Sequence, residues 1–188
     1  LETEQCRTGN QNSIQTGRIA GSAIRLDNTS ANSQSWASDT RASIGIALKM
    51  SGGNPGSSTW LRLYEGGAAG TEHGRLGINS DGSLTVSRAG SIASSSTTGI
   101  LTTGVWYYIE WDYYCADSGG YWTVKVNGTT VISGTGLDTR NGGASGALDT
   151  LRFTVGGSSS WDHDDFYVCT GTTGLLGDQR VITQVPTG

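Results

Sequence analysis

Apolar and polar residues alternate along this chain in short runs, and glycine, asparagine, aspartate and serine separate the runs. From Ala42 to Met50, Ile44, Ile46, Leu48 and Met50 fall on one side, with Gly45, Ala47 and Lys49 on the other. That period of two predicts a strand with one buried face. Thr59 to Glu65 reads the same way, with Leu61 and Leu63 on one face and Trp60, Arg62 and Tyr64 on the opposite one. Gly17 to Asp27 reads as a strand preceded by glycines. Trp106 to Cys115 has apolar residues on both faces, which predicts a central strand covered on both sides. Tyr107, Ile109, Trp111 and Tyr113 share one of its faces, and Trp106, Tyr108, Glu110, Asp112 and Tyr114 share the other.

Two hairpins follow from turn chemistry. Asn127-Gly128 suits a two-residue type I′ turn, in which both positions need positive φ. Folding there sets Val126 against Thr129, Val124 against Val131 and Trp122 against Ser133. Ser80-Asp81-Gly82 forms a three-residue loop with Gly82 in the left-handed position, and it pairs Ile78 with Leu84 and Leu76 with Val86. No segment of helical length carries sustained i, i+3, i+4, i+7 apolar spacing. The pattern predicts two packed antiparallel sheets. Ile44, Ile46, Leu48, Leu61, Leu63, Leu76, Ile78, Leu84, Val86, Trp122, Val124, Val126, Phe153, Val155, Phe166 and Val168 should lie between them. Ser91 to Gly104 and Gly134 to Gly146 read as surface loops.

Composition sharpens this picture. The 188 residues include 30 glycines, and the length suits a single domain. We expect an N-terminal arm over 1–15, without a clear strand pattern, and one sandwich domain over 16–188. Net charge is −4, lysine occurs only at Lys49 and Lys125, and the arginines are scattered. This is no electrostatic footprint for nucleic acid or an anionic membrane, and no run approaches a membrane span. Cys6, Cys115 and Cys169 leave at least one thiol unpaired within the chain. A bridge between Cys115 and Cys169, each at the end of an expected strand, is an open alternative to three free thiols.

The order and spacing of the pieces resemble the concanavalin A-like lectin/glucanase superfamily, and most closely the laminin-G-like jelly rolls of bacteriophage virion proteins. The resemblance rests on Gly17-Arg18-Ile19-Ala20-Gly21-Ser22-Ala23-Ile24-Arg25-Leu26, on Val124-Lys125-Val126-Asn127-Gly128 and on Asp164-Asp165-Phe166-Tyr167-Val168. Leu176-Gly177-Asp178-Gln179-Arg180-Val181 with Pro186 completes it. It implies an all-β jelly-roll sandwich at a virion surface, made in a bacterial host cytoplasm. Such a domain would be present in many copies, would contact capsid or other virion proteins, and would serve as a decoration, fibre or adhesion module for a cell-surface glycan. A secreted carbohydrate-active enzyme and a purely structural cement protein are the alternatives. The exposed arm, Cys6 included, is where contact with a neighbouring copy is expected.

Candidate chemistry falls in three places. Glucanases of this superfamily carry E-x-D-x-x-E on one strand, where paired carboxylates attack the sugar and protonate the leaving oxygen. This chain has Glu110 and Asp112, but Cys115 stands where the last glutamate should be, so no glycosidase activity is expected. Asp162-His163-Asp164-Asp165 gathers three carboxylates. Asp162, Asp164 and Asp165 are candidate calcium ligands, since calcium takes loop oxygens. The competing and favoured reading is a cap in the turn before an aromatic strand, with the carboxylates accepting backbone N–H bonds. Trp111, Tyr113 and Trp161 are the candidate glycan contacts, because aromatic faces stack on sugar rings; for Trp111 and Tyr113, core packing is the stronger reading. Trp36, Trp60 and Trp161 are the expected exposed aromatics. No partner for His73 is evident.

Overall fold

The computed structural model describes residues 12–19, 21–27, 31–52, 58–91, 93–142, 145–155, 160–172 and 174–179. Among them are thirteen strands and no helix. One sheet has seven strands in the order β1 (Asn12–Thr16), β2 (Ser22–Asp27), β13 (Ser160–Thr170), β4 (Arg41–Gly52), β9 (Trp106–Tyr114), β10 (Gly120–Val126) and β11 (Thr129–Leu137). The other has six: β3 (Ala31–Asp39), β12 (Leu148–Thr154), β5 (Ser58–Glu65), β6 (Thr71–Ile78), β7 (Leu84–Arg88) and β8 (Ala93–Ser95). All pairings are antiparallel.

The expected core lies between the sheets. Fourteen of its sixteen expected members are buried there, and Phe166 and Val168 are half-buried against them. Trp60, Trp111, Trp122 and Trp161 are fully buried as well. A buried aromatic hides roughly 150–250 Å², or about 4–6 kcal/mol at ~25 cal/mol per Å². These four indoles are therefore a large share of what holds the sheets together.

Both turns fold as the sequence predicts. Asn127 (φ 49°) and Gly128 (φ 80°) form the tight turn, and Val126 faces Thr129. Asn79 donates its backbone N–H to the Ser83 carbonyl, Gly82 has φ 76°, and Ile78 faces Leu84. The register beyond the first turn differs from expectation. A bulge at Val131, opposite the step from Val124 to Lys125, sets Val124 against Ile132 and Trp122 against Gly134, so the facing residues are not Val131 and Ser133.

Other differences also have local causes. A bulge between Thr59 and Leu61 turns Trp60 and Leu61 both inward, so Trp60 is core and not an exposed aromatic. Trp161 is core too: in β13 it faces Met50 and Leu26, both buried. β3 has the sequence ANSQSWASD, with no apolar alternation to announce it; it borrows its order from β12. β8 lies within the expected Ser91–Gly104 loop, and β11 runs on to Leu137. Asn12 to Gln15 of the expected arm sit in β1, paired with β2, while residues 1–11, Cys6 among them, lie outside the described residues. Cys115 and Cys169 are free thiols. Cys115 is in the inter-sheet core and Cys169 follows inward-facing Val168, so the two sulfurs address different sides of the sheet.

Candidate functional site

Alternation on β4, β9, β10 and β13 sends Ile44, Ile46, Ile109, Trp111, Val124 and Val168 inward. It sends Arg41, Ser43, Gly45, Lys49, Glu110, Asp112, Tyr121, Asp162 and Tyr167 to the outer face of the seven-stranded sheet. Most of the chain's polar chemistry lies on that face, arranged in three rows across the strands.

The first row is a buried charge cluster. Asp162 accepts from the Arg25 guanidinium at 2.7 Å and the Ser51 hydroxyl at 2.6 Å, and its carboxylate is 3.1 Å from the Lys49 ammonium. Burial alone would raise its pKa. The bonds from Arg25, Ser51 and Lys49 prevail and hold it below the usual carboxylate range. Lys49 also lies over the Trp106 ring, 5.0 Å from its centre.

The middle row is covered. Tyr167 lies flat over Gly45; a Cβ on Gly45 would come 2.0 Å from the Tyr167 ring. Tyr167 donates its hydroxyl to the Glu110 carboxylate at 3.0 Å. Residues 174–179 cross above as a strap. The Gly177 N–H bonds Glu110 at 2.7 Å, the Leu176 N–H bonds the Tyr167 oxygen at 2.9 Å, and Asp178 takes the Arg18 guanidinium. Burial pushes the Tyr108 and Tyr167 hydroxyls well above the ordinary tyrosine range, so both stay protonated at neutral pH. Glu110 is thus buried under the strap rather than exposed on a solvated face.

The third row is open. Arg41 makes a two-pronged bond to Asp112 at 2.9 and 2.7 Å, and Ser43 donates to the same carboxylate at 2.9 Å. The Arg41 guanidinium also lies over Tyr121, 5.6 Å from the ring centre, and Tyr121 and Tyr114 are tilted against each other with centres 5.5 Å apart. A depression of about 360 Å³ opens here, lined by Arg41, Tyr114, Tyr121, Asp39 and Thr172. It offers half-exposed aromatic rings, a fixed cation and polar groups at its edge. Those are the components of a sugar site, with the Arg41 cation and the Asp39 carboxylate at its rim.

The residues expected from sequence are placed as follows. Trp111, Tyr113 and Trp161 are fully buried in the inter-sheet core, where no glycan reaches them. Tyr113 lies edge-on to Trp111 and stacked on Trp122, with its hydroxyl 2.6 Å from the Thr139 carbonyl. Asp162, Asp164 and Asp165 lie inside β13 rather than in a turn before a strand, and they do not converge. Asp162 is taken by Arg25 and Lys49. Asp164 accepts the Arg18 N–H at 2.8 Å and the Asp165 N–H at 2.9 Å, while Asp165 faces the Arg18 guanidinium at 3.2 Å. The backbone-accepting role foreseen for this segment falls to Asp164, within a bulge between Asp164 and Tyr167 where Asp165 takes φ 49°. Among the described residues no group of three His, Cys, Asp or Glu side chains could hold a metal ion.

Sequence reasoning missed the Tyr114–Tyr121–Arg41 depression, although Tyr114 and Tyr121 follow from the same alternation. Both faces of β9 are aromatic, so the pattern alone did not say which one looks outward. It also missed His73, which is buried. There it accepts the Asn141 N–H on Nδ1 at 3.0 Å and meets Glu65 through Nε2 at 3.0 Å. The bond from the Ser145 hydroxyl, with those of His73, Gly146 and the Ser145 amide, holds Glu65 at about 2 against the opposing effect of burial.

The fold is an all-β sandwich of two antiparallel sheets, with its polar chemistry on the outer face of the larger sheet. No protein-family model matches the chain, and no curated protein matches it in sequence. Its similarity is to solved structures. The endo-β-1,4-glucuronan lyase of the fungus Trichoderma reesei is 13% identical, with a TM-score of 0.61 over 88% of this chain and 90% of that one. The cellulose-induced protein Cip1 is 14% identical, with a TM-score of 0.62 over 91% and 90%. The alginate lyase Aly36B, in a variant solved with alginate tetrasaccharide, is 13% identical, with a TM-score of 0.55 over 81% and 82%.

Proposed function

We propose that this domain is a non-catalytic glycan-binding module that takes an acidic sugar in the depression formed by Arg41, Tyr114 and Tyr121. The observation that carries the reading is the division of the outer face. Its would-be catalytic middle, Glu110 with Tyr167 and Tyr108, is closed by hydrogen bonds to the 174–179 strap, whereas its Arg41 end is open. The tyrosine pair supplies ring faces for a sugar, and Arg41 adds a cation beside them. Acidic polysaccharides named for the similar lyases, glucuronan and alginate, fit that charge. The wider setting we propose is a multicopy assembly on a bacteriophage virion. Its support is the phage-like motifs at Gly17–Leu26 and Asp164–Val168, and the exposed Ile14 and Ile24 facing each other on β1 and β2.

Calorimetric titration with alginate tetrasaccharide tests the site. Binding should weaken by about fivefold in Tyr121→Ala, the value of one aromatic contact. Equal affinity of the two proteins would overturn the assignment. The enzyme alternative places the reaction beneath the strap. It predicts turnover of alginate or a β-glucan that rises when residues 174–188 are deleted. We expect no turnover from either form.

A further inference from the structure

The opposite face of the molecule, the outer side of the six-stranded sheet, presents three arginines abreast. Arg152 on β12 faces Arg62 on β5, and Arg62 faces Arg75 on β6. Their neighbours Leu151 and Phe153, Leu61 and Leu63, and Gly74 and Leu76 are buried, so alternation sends all three guanidinium groups outward. Directly opposite residues have Cβ atoms about 5 Å apart, and like charges in that arrangement destabilise a sheet. Glu72 is the carboxylate that answers them: it bonds Arg75 and Arg62 and accepts the Tyr64 hydroxyl at 3.2 Å. Arg152 has no ion-pair or side-chain hydrogen-bond partner among the described residues, and the buried Nε of Arg62 has no acceptor among them. A cationic ladder thus stands on a chain whose net charge is −4.

The ladder continues into a second depression, of about 180 Å³. Gly77 forms its floor, with no side chain to fill it. Arg75 stands at its side, and Asn79, Thr85, Ser87 and Thr59 line it. This lining is rich in hydroxyl and amide groups and has no aromatic ring on which a nucleic-acid base could stack.

We infer that this face is a second binding site, for an acidic polysaccharide lying across the strands. Its carboxylate or sulfate groups would be held by the arginine ladder, and a neighbouring sugar would sit in the Gly77 depression. Guanidinium forks bind carboxylate and sulfate oxygens two at a time, which suits rows of such groups better than isolated ammonium ions would. The site lies on the opposite sheet from the Arg41–Tyr121 depression and stands independently of it.

The test uses the full chain carrying Tyr121→Ala, which weakens the first site, and reads the change that the arginine substitutions cause within that background. Affinity electrophoresis through alginate, dextran sulfate or neutral dextran reports binding; alginate separates carboxylate from sulfate preference. Retardation by at least one of the two acidic polymers and none by dextran is expected. Adding Arg75→Gln and Arg152→Gln should weaken it about a hundredfold, since two charged bonds are lost and each is worth about tenfold in affinity. Arg152→Gln alone breaks no ion pair, so it should keep the melting temperature while lowering affinity. The inference is overturned by no retardation in either acidic polymer or by retardation unchanged in the double variant. It is also overturned if oligothymidylate binds as tightly with the same dependence on both arginines, which would mark a general polyanion surface.

Discussion

At the residue scale, the tightest constraints are places where a side chain is absent. Gly74 faces the core, and a Cβ there would lie 2.9 Å from the Tyr113 ring and 3.2 Å from Trp111. Neither ring can retreat, because Tyr113 is fixed by its bond to the Thr139 carbonyl and by Trp122 behind it. Gly74→Ala should cost about 1–3 kcal/mol, the usual penalty for overpacking, read as a lower urea midpoint with unchanged slope. His163 gives a second residue-scale prediction. It is buried, its Nε2 accepts the Trp60 indole N–H at 2.9 Å, and burial lowers its pKa to about 4. The unfolded chain has the ordinary value near 6.5 and so binds the proton first as pH falls. Stability is therefore full above about 6.5 and declines between 6.5 and 4, by roughly 1.4 kcal/mol per pH unit at most. Glu65, held at about 2, loses its contribution only below about 4.5. Urea midpoints across pH 7 to 4.5 should fall for the native chain and stay flatter for His163→Phe. Little of this was legible in the sequence. A lone glycine in an alternating run does not declare what lies across the sandwich, and His163 resembled part of an acidic surface cluster because nothing local reveals that it points inward.

At the element scale, the legible parts were those whose signal is local. Asn127-Gly128 and Ser80-Asp81-Gly82 fixed their turns, and clean alternation located β4, β6 and β7. The unread parts depend on distant partners: β3 is polar and ordered by β12, and bulges in β5, β11 and β13 shift a register by one residue and so reverse which face a side chain meets. The first of these turns also does more than reverse the chain. Asn127 Oδ1 accepts the Tyr108 N–H at 2.8 Å, and the Asn127 N–H bonds the Tyr108 carbonyl at 2.8 Å, tying the β10–β11 hairpin to β9. Asn127→Gly keeps the left-handed geometry and loses only the side-chain acceptor. Asn127→Ala loses both. We expect about 1 kcal/mol of destabilisation for the glycine variant and more for the alanine one, measured by thermal or urea unfolding.

At the scale of the whole molecule, the described strands leave four edges: β1 and β11 on one sheet, β3 and β8 on the other. Isolated sheets guard such edges with lysine, proline or inward-pointing charge. Here the two lysines, Lys49 and Lys125, both sit on interior strands, and Asp39, at the end of β3, is the one ionisable residue on the four edges. β8 and β11 partly answer one another across the sandwich, since the Trp122 indole beneath β11 reaches the Ser94 hydroxyl at 3.3 Å. β1 has no such cover among the described residues. Its Ile14 is 75% exposed and faces Ile24, itself exposed, leaving an apolar pair beside an open row of backbone groups. Strand addition by a neighbouring copy would satisfy both the apolar surface and the backbone. The expected outcome is a multimer of the intact chain by size-exclusion chromatography with light scattering, shifted toward monomer by Ile14→Lys. That variant puts a charge on the edge without touching the core, so its far-UV spectrum should not change. A native chain that stays monomeric as its concentration is raised would remove the assembly from the proposed function and leave the two glycan faces to be judged on a single sandwich.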